Sequence, residues 1–304
     1  MKKIITLLLV MLSVAGIVSM QSCQSTKSST ASRMLKFNFE KGKGYDYEMT
    51  INSDQKIMGK PMQMDMSAYY SMEVTADSGD IKTITTAIDR FKMKMGIAGM
   101  NIEVDTDKPI VSDNDTTMGE NPLKMMNRVF GAIKGQHFYM KVDAEGKVLE
   151  VKGFENMAQS IADSMGIDGE KRLEVIQEFN KQFNAKVMKE QFERMWYIFP
   201  NKEVKVGDTW QKSMETSGPM AGKYISTYMV KEIEGDMVTL DVTTKIESDD
   251  EKKKVNGEIT GTVVVDSRSG LLVNADQDMK MTTVAEGMSF DMKGKTKIKG
   301  KAKQ

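Results

Sequence analysis

The sequence predicts an α+β fold, in which two similar antiparallel β segments form a curved sheet or open barrel with a helical insert packed on its concave side. Three observations lead there. Apolar and polar residues alternate between Leu35 and Val111, the pattern of an antiparallel sheet with one dry and one wet face. Apolar residues take up helical spacing between Thr117 and Phe199. Strand-like alternation then returns from Val204 to the end of the chain.

Residues 1–22 read as an export signal. Lys2 and Lys3 precede an uncharged run from Ile4 to Val18, and Met20-Gln21-Ser22-Cys23 follows. That run is too short for the roughly 20 residues that cross a bilayer as a helix, so a cleaved signal fits better than a span. Cys23 is the one cysteine of the chain. With Ser22 before it, the site resembles a bacterial lipobox, departing from the usual pattern at Met20. Acylation of Cys23 would tether the protein to a lipid membrane, each buried methylene contributing about 0.8 kcal/mol. An ordinary signal cut nearby, leaving a free thiol, is the alternative. No internal disulfide can form with one cysteine. Residues 23–34 then comprise the lipidated cysteine and a polar, aperiodic tether.

The first β segment is expected over 35–116. Met62, Met64 and Met66 alternate with polar residues, as do Met93 and Met95, and turn residues at Gly42–Gly44, Gly59–Pro61 and Asp77–Asp80 divide it into hairpins. The helical insert is expected over 117–199. Asn121-Pro122 caps a helix carrying Leu123, Met126, Phe130 and Ile133. A hairpin around Glu145-Gly146 follows, then one helix with Phe154, Met157, Ile161 and Met165, and another running from Asp168 through Leu173, Ile176, Phe179, Phe183 and Val187. Pro200 ends the insert. The second β segment occupies 200–304, with turns at Gly235-Asp236, Ser248–Lys254, Ser267–Gly270 and Glu286-Gly287.

The two β segments read as copies. Gly42, Tyr45 and Met49 align with Gly207, Trp210 and Met214; Gly79–Ile84 aligns with Gly235–Leu240; Gly99–Val104 aligns with Gly287–Met292. Chance likeness between amphipathic strands is the competing explanation.

This order of parts, together with Phe199-Pro200-Asn201-Lys202-Glu203-Val204-Lys205-Val206-Gly207-Asp208-Thr209-Trp210, resembles an uncharacterised family of Bacteroidetes-type envelope lipoproteins. The resemblance implies location and architecture and no activity. The architecture alone is distantly similar to the lipid-binding lipoproteins of the LolA/LppX type, and no residue carries over from that likeness.

Composition narrows the function classes. Without Lys2 and Lys3, 41 of the 43 basic residues remain against 43 acidic ones, so no bulk attraction to nucleic acid follows. His137 is the sole histidine, which leaves no histidine triad and none of the usual zinc sites. Asp105, Asp107, Asp113, Asp115 and Glu120 cluster, yet lack the glycine and glutamate spacing of an EF-hand; a solvated loop is the expected reading over calcium. Lys293, Lys295, Lys297, Lys299, Lys301 and Lys303 alternate, placing six cations on one strand face. An edge strand guarded by charge is the expected reading, compatible with attraction to anionic lipid.

The outstanding feature is methionine, 29 residues in all. Met lines adaptable apolar surfaces better than it specifies rigid ones. The expected function is therefore a non-enzymatic envelope lipoprotein without cofactor, anchored at the outer membrane and facing the periplasm. It would hold a hydrophobic ligand, a lipid or acyl chain, in a cavity lined by Met64, Met66, Met93, Met95, Met279 and Met281. Two alternatives stay open: a structural or interaction module with a solid core, and a Cu(I)-binding protein using thioethers such as Met62, Met64 and Met66.

Overall fold

The computed structural model describes residues 31–57, 60–97, 100–108, 122–166, 168–182, 184–217, 221–248, 253–285 and 288–303. The expected signal, Cys23 and most of the tether lie outside these residues, as do Asp113, Asp115 and Glu120.

The expected α+β class is overturned. Among the described residues strand far outweighs helix, and 12 of the strands join into one open antiparallel sheet. In chain order the strands are β1 (Arg33–Leu35), β2 (Gly44–Ile57), β3 (Lys60–Asp77), β4 (Ile81–Ile97), β5 (Met100–Asp105), β6 (His137–Asp143) and β7 (Val148–Lys152). After the helices come β8 (Lys202–Val204), β9 (Thr209–Thr216), β10 (Gly222–Glu234), β11 (Met237–Glu247), β12 (Lys253–Asp266), β13 (Leu271–Ala285) and β14 (Met288–Ala302). The sheet order is β7-β6-β4-β3-β2-β14-β13-β12-β11-β10-β9, with β5 added beside β4, while β1 and β8 pair separately.

Four helices are described: α1 (Pro122–Ile133), α2 (Glu155–Ser164), α3 (Gly169–Gln182) and α4 (Ala185–Trp196). They do not form an insert laid over the hollow of the sheet. Instead α4 lies against β7 and β9, the two ends of the sheet order. Edge strands leave backbone groups unpaired, and here other parts of the chain supply partners. The Ser217 amide, just past β9, donates to Glu190 of α4 at 2.6 Å, the Phe199 amide to the Glu145 carbonyl at 3.3 Å, and the Trp210 indole to the Ile198 carbonyl at 2.8 Å. A Lys212–Glu145 ion pair crosses the same gap.

The long helix expected from Asp168 through Val187 is two helices. Asn184 adopts an extended conformation, and its side chain accepts from the Val187 amide at 3.0 Å, so it caps α4 rather than continuing α3.

The principal core fills one end of the sheet. Trp196, Phe37, Phe39, Phe138 and Phe199 are buried there, with Phe39 stacked on Tyr45 at 3.8 Å between ring centroids. The Phe37 amide donates to the Ala144 carbonyl at 2.8 Å and the Asn38 amide to the Ser269 carbonyl at 2.9 Å, so this end is crossed by chain as well as filled by side chains.

Turn geometry recurs at the start of the two β segments. Gly42 and Gly207 both have positive φ, 76° and 90°, and donate to Val74 and Val230 at 2.9 and 2.8 Å. A bulge follows each acceptor, between Val74 and Ala76 and between Val230 and Glu232. The third aligned block shares its hairpin register, Met93 facing Val104 across β4 and β5 as Met281 faces Met292 across β13 and β14, and differs in that β14 also pairs with β2 on its other side.

That position also corrects the reading of the lysine strip. β14 is no edge strand, being paired along both sides. Its lysines sit opposite Asp46, Glu48 and Asp54 of β2 and Asp276 and Asp278 of β13. Lys295 pairs with Asp276 at 2.9 Å and Lys303 with Asp46 at 3.1 Å. The strip is thus a balanced ladder of charge, a cross-strand stabilisation rather than a bare basic face.

Candidate functional site on the inner face of the sheet

Period-two geometry sorts every strand into an outer and an inner set. On β3 the core residues Ala68 and Met72 fix the inner parity, which Met62, Met64 and Met66 share. On β13 the buried Ala275 fixes it, and Met279 and Met281 follow. On β4 a bulge at Asp89 resets the parity, so that Phe91, Met93 and Met95 face inward opposite Ala68, Met66 and Met64.

All six expected methionines therefore lie on one face. Met64 opposes Met95 and Met66 opposes Met93 on adjacent strands. Met279 and Met281 stand on the other side of β14 and β2, reached through the rungs Met279–Gly294–Ser53–Met64 and Met281–Met292–Gln55–Met62. The structure thus places them in two neighbouring groups along shared rungs, not in one contact cluster. Met93 is buried, while Met64, Met66, Met95, Met279 and Met281 are half-buried.

Sequence reading missed the rest of this face. Tyr224, Ile246 and Val255 form a second buried cluster, separate from the principal core, with Met214, Ile259 and Met281 against it. Between the two clusters the rungs carry small or polar residues. Ser226 and Thr244 share a hydrogen bond of 2.8 Å, the Gln55 amide donates to the buried Ser53 hydroxyl at 3.2 Å, and Gly257, Gly261 and Gly294 leave inner positions without side chains. A Cβ at Gly294 would sit 3.5 Å from the terminal methyl of Met279, so that methionine leans over the glycine. Register was the missing information: alternation gives parity within a strand, but only pairing tells which rungs meet.

The arrangement offers an apolar face with a few inward polar groups. Among the described residues no group of three His, Cys, Asp or Glu could hold a metal ion. On β3, β4, β6 and β13 methionine follows the inner rows, from the buried Met72 and Met140 to the half-buried Met281, whereas Met34, Met229 and Met237 are exposed elsewhere. His137 is exposed at the start of β6.

Two members of the expected acidic cluster are held by cations. Arg90 grips Asp105 with two hydrogen bonds of 3.0 and 2.8 Å and pairs with Asp107 at 3.1 Å, while Lys134 reaches Asp107 at 2.7 Å. The guanidinium holds the Asp105 carboxyl down to about 2. These carboxylates serve an ion-pair network on the outer side of the sheet.

Comparison with known proteins yields a family and remote structural likenesses. No curated protein matches the sequence. Among solved structures, the translocator domain of the autotransporter NalP from Neisseria meningitidis is 6% identical, with 86% of this chain and 89% of that one covered and a TM-score of 0.33. OccK5 (OpdH) from Pseudomonas aeruginosa is 10% identical, covering 84% of this chain and 65% of that one at a TM-score of 0.17. OccK7 (OpdD) from the same organism is 7% identical, covering 87% and 99% at 0.19. Likeness at these scores carries no argument about function. The sequence match is more extensive: residues 79–272, well over half of the chain, fit a family of unknown function (DUF6263), and the chain belongs to that family.

Proposed function

We propose that the protein is a non-enzymatic, membrane-tethered lipoprotein of the cell envelope that binds the apolar part of a lipid on the inner face of its sheet. The observation that carries this reading is the contrast along that face. One end is a filled aromatic core; toward the other, five inward methionines remain half-buried around glycine and hydroxyl-bearing rungs. Fully burying a methionine side chain is worth roughly 1.5–3 kcal/mol, so completing the burial of five half-covered ones offers a ligand on the order of 5 kcal/mol before ordering costs. That suffices for a weak, exchangeable acyl-chain site. Flexible thioether side chains suit a ligand of variable shape. Resemblance to envelope lipoproteins and the lipobox at Cys23 supply the location in this reading, with the tether holding the domain near a lipid surface.

Titration of the full-length chain with a fluorescent fatty acid tests the proposal. Saturable uptake is expected, weakened at least tenfold when Met64 and Met279 are both changed to Gln in a variant of unchanged melting temperature. Absence of uptake, together with no lipid retained in native mass spectrometry of protein from its host, overturns it.

A further inference from the structure

The outer face of the sheet carries a cavity of about 830 Å³ that the lipid-binding reading leaves unused. Its long axis is one rung of the sheet: Asn274, Lys299, Glu48, Tyr69 and Arg90 are successive cross-strand partners on β13, β14, β2, β3 and β4. Four strand spacings give this rung a length of roughly 19 Å. Gly300 lets the strands close up beneath it, since a Cβ there would lie 2.2 Å from the Leu272 carbonyl oxygen.

The polar groups of the cavity divide into committed and free. Arg90 is held by Asp105 and Asp107, Lys301 pairs with Asp46 at 3.5 Å, and Asp89 accepts from Ser71 at 2.9 Å. The Tyr69 hydroxyl donates to one oxygen of Glu48 at 3.2 Å, leaving the other oxygen open. Lys299 and Asn274 make no ion pair or side-chain hydrogen bond among the described residues, although both line the cavity. Free groups along the rung are thus an ammonium, a primary amide and a carboxylate oxygen, beside the half-buried ring of Tyr69, over which the Lys92 ammonium lies 5.7 Å from the centroid.

Charge selects the ligand class. The lining carries Arg90, Lys299 and Lys301 against Asp46, Glu48, Asp89 and Asp107, three cations facing four anions. An anionic ligand needs a net positive site, and this one repels it slightly. A purely apolar ligand would strand the free donors and acceptors without partners, at about 1–3 kcal/mol for each group buried. What matches is a neutral molecule that both donates and accepts along its edges and presents a C–H face to a rigid aromatic ring. We propose that this groove binds a neutral oligosaccharide, with Lys299, Asn274 and Glu48 meeting its hydroxyls and Tyr69 its apolar face.

A glycan array carrying neutral, sulfated and phosphorylated oligosaccharides, probed with the full chain, tests this, followed by calorimetric titration of a responding glycan. Binding confined to neutral glycans is expected. Lys299→Ala and Glu48→Ala should each weaken it about tenfold or more at unchanged melting temperature. Lys297→Ala, one outer position away and not lining the cavity, should leave it intact. No response, a response confined to sulfated or phosphorylated glycans, or binding that survives Lys299→Ala and Glu48→Ala combined overturns the proposal.

Discussion

Gly146 shows how much a single residue can decide in this fold. It turns the β6–β7 hairpin at φ 81°, and a Cβ there would fall 1.7 Å from the carbonyl oxygen of Trp196, the last residue of α4. Strain and clash act together, so Gly146→Ala should cost about 3 kcal/mol or more and lower the melting temperature by on the order of 10 °C in a thermal scan. Asp105 gives a pH-dependent counterpart. Its folded carboxyl is held at about 2 by Arg90, below the ordinary value near 3.9 in the unfolded chain. The pair therefore stabilises fully above about pH 5, and that contribution, about 2 kcal/mol, is lost as pH falls toward 2. Asp105→Asn should flatten the acid limb of the stability curve between these limits, as urea titrations at stepped pH would measure. The inward placement of Met64, Met66, Met93 and Met95 was legible from alternation alone. The inner Lys212, its ammonium 4.4 Å from the centroid of the Tyr197 ring, was not, because a lysine in an alternating strand reads as outward until its partner across the gap is known.

At the scale of elements, strand boundaries could be read because glycine turns interrupt alternation, as at Gly79 and Gly235, both at positive φ. Pairing could not, since β14 neighbours β2 from the far end of the chain and nothing local records that contact. The same holds for α4. Its apolar face was expected over a concave sheet, whereas Glu190 and Glu193 are buried on it alongside Phe192 and Trp196. Burial raises the Glu193 carboxyl above its ordinary value. Glu190 holds the end of β9 in place, because one of its oxygens accepts from both the amide and the hydroxyl of Ser217, at 2.6 and 2.8 Å. Removing it strands that amide and frees the end of the strand. Glu190→Ala should speed amide hydrogen exchange at Ser217 and the end of β9 by about tenfold or more, with little change around β13 and β14, whose partners are strands on both sides.

For the molecule as a whole, the decisive property is which side of the sheet is polar. A barrel that spans a membrane turns apolar residues to lipid and keeps polar ones within. Here the inner face holds the aromatic core and the methionine rungs, and the outer face of β14 alone presents Lys293, Lys295, Lys297, Lys299 and Lys301, with Asp46, Glu48, Asp276 and Asp278 on its neighbours. A lysine on the lipid face costs about 2–4 kcal/mol at mid-bilayer, so five on one strand make insertion of this sheet unfavourable by on the order of 10 kcal/mol. In the proposed reading, attachment to a membrane comes from elsewhere in the chain, through acylation at Cys23 with the polar stretch of 24–32 as spacer. Membranes carrying the protein, with a protease site introduced within 24–32, should release the folded domain into the supernatant on cleavage, detected by its unchanged circular dichroism. Retention of the cleaved domain through a high-salt wash would mean that a surface of the sheet or of the helices holds it at the bilayer, and the tether would no longer explain its location.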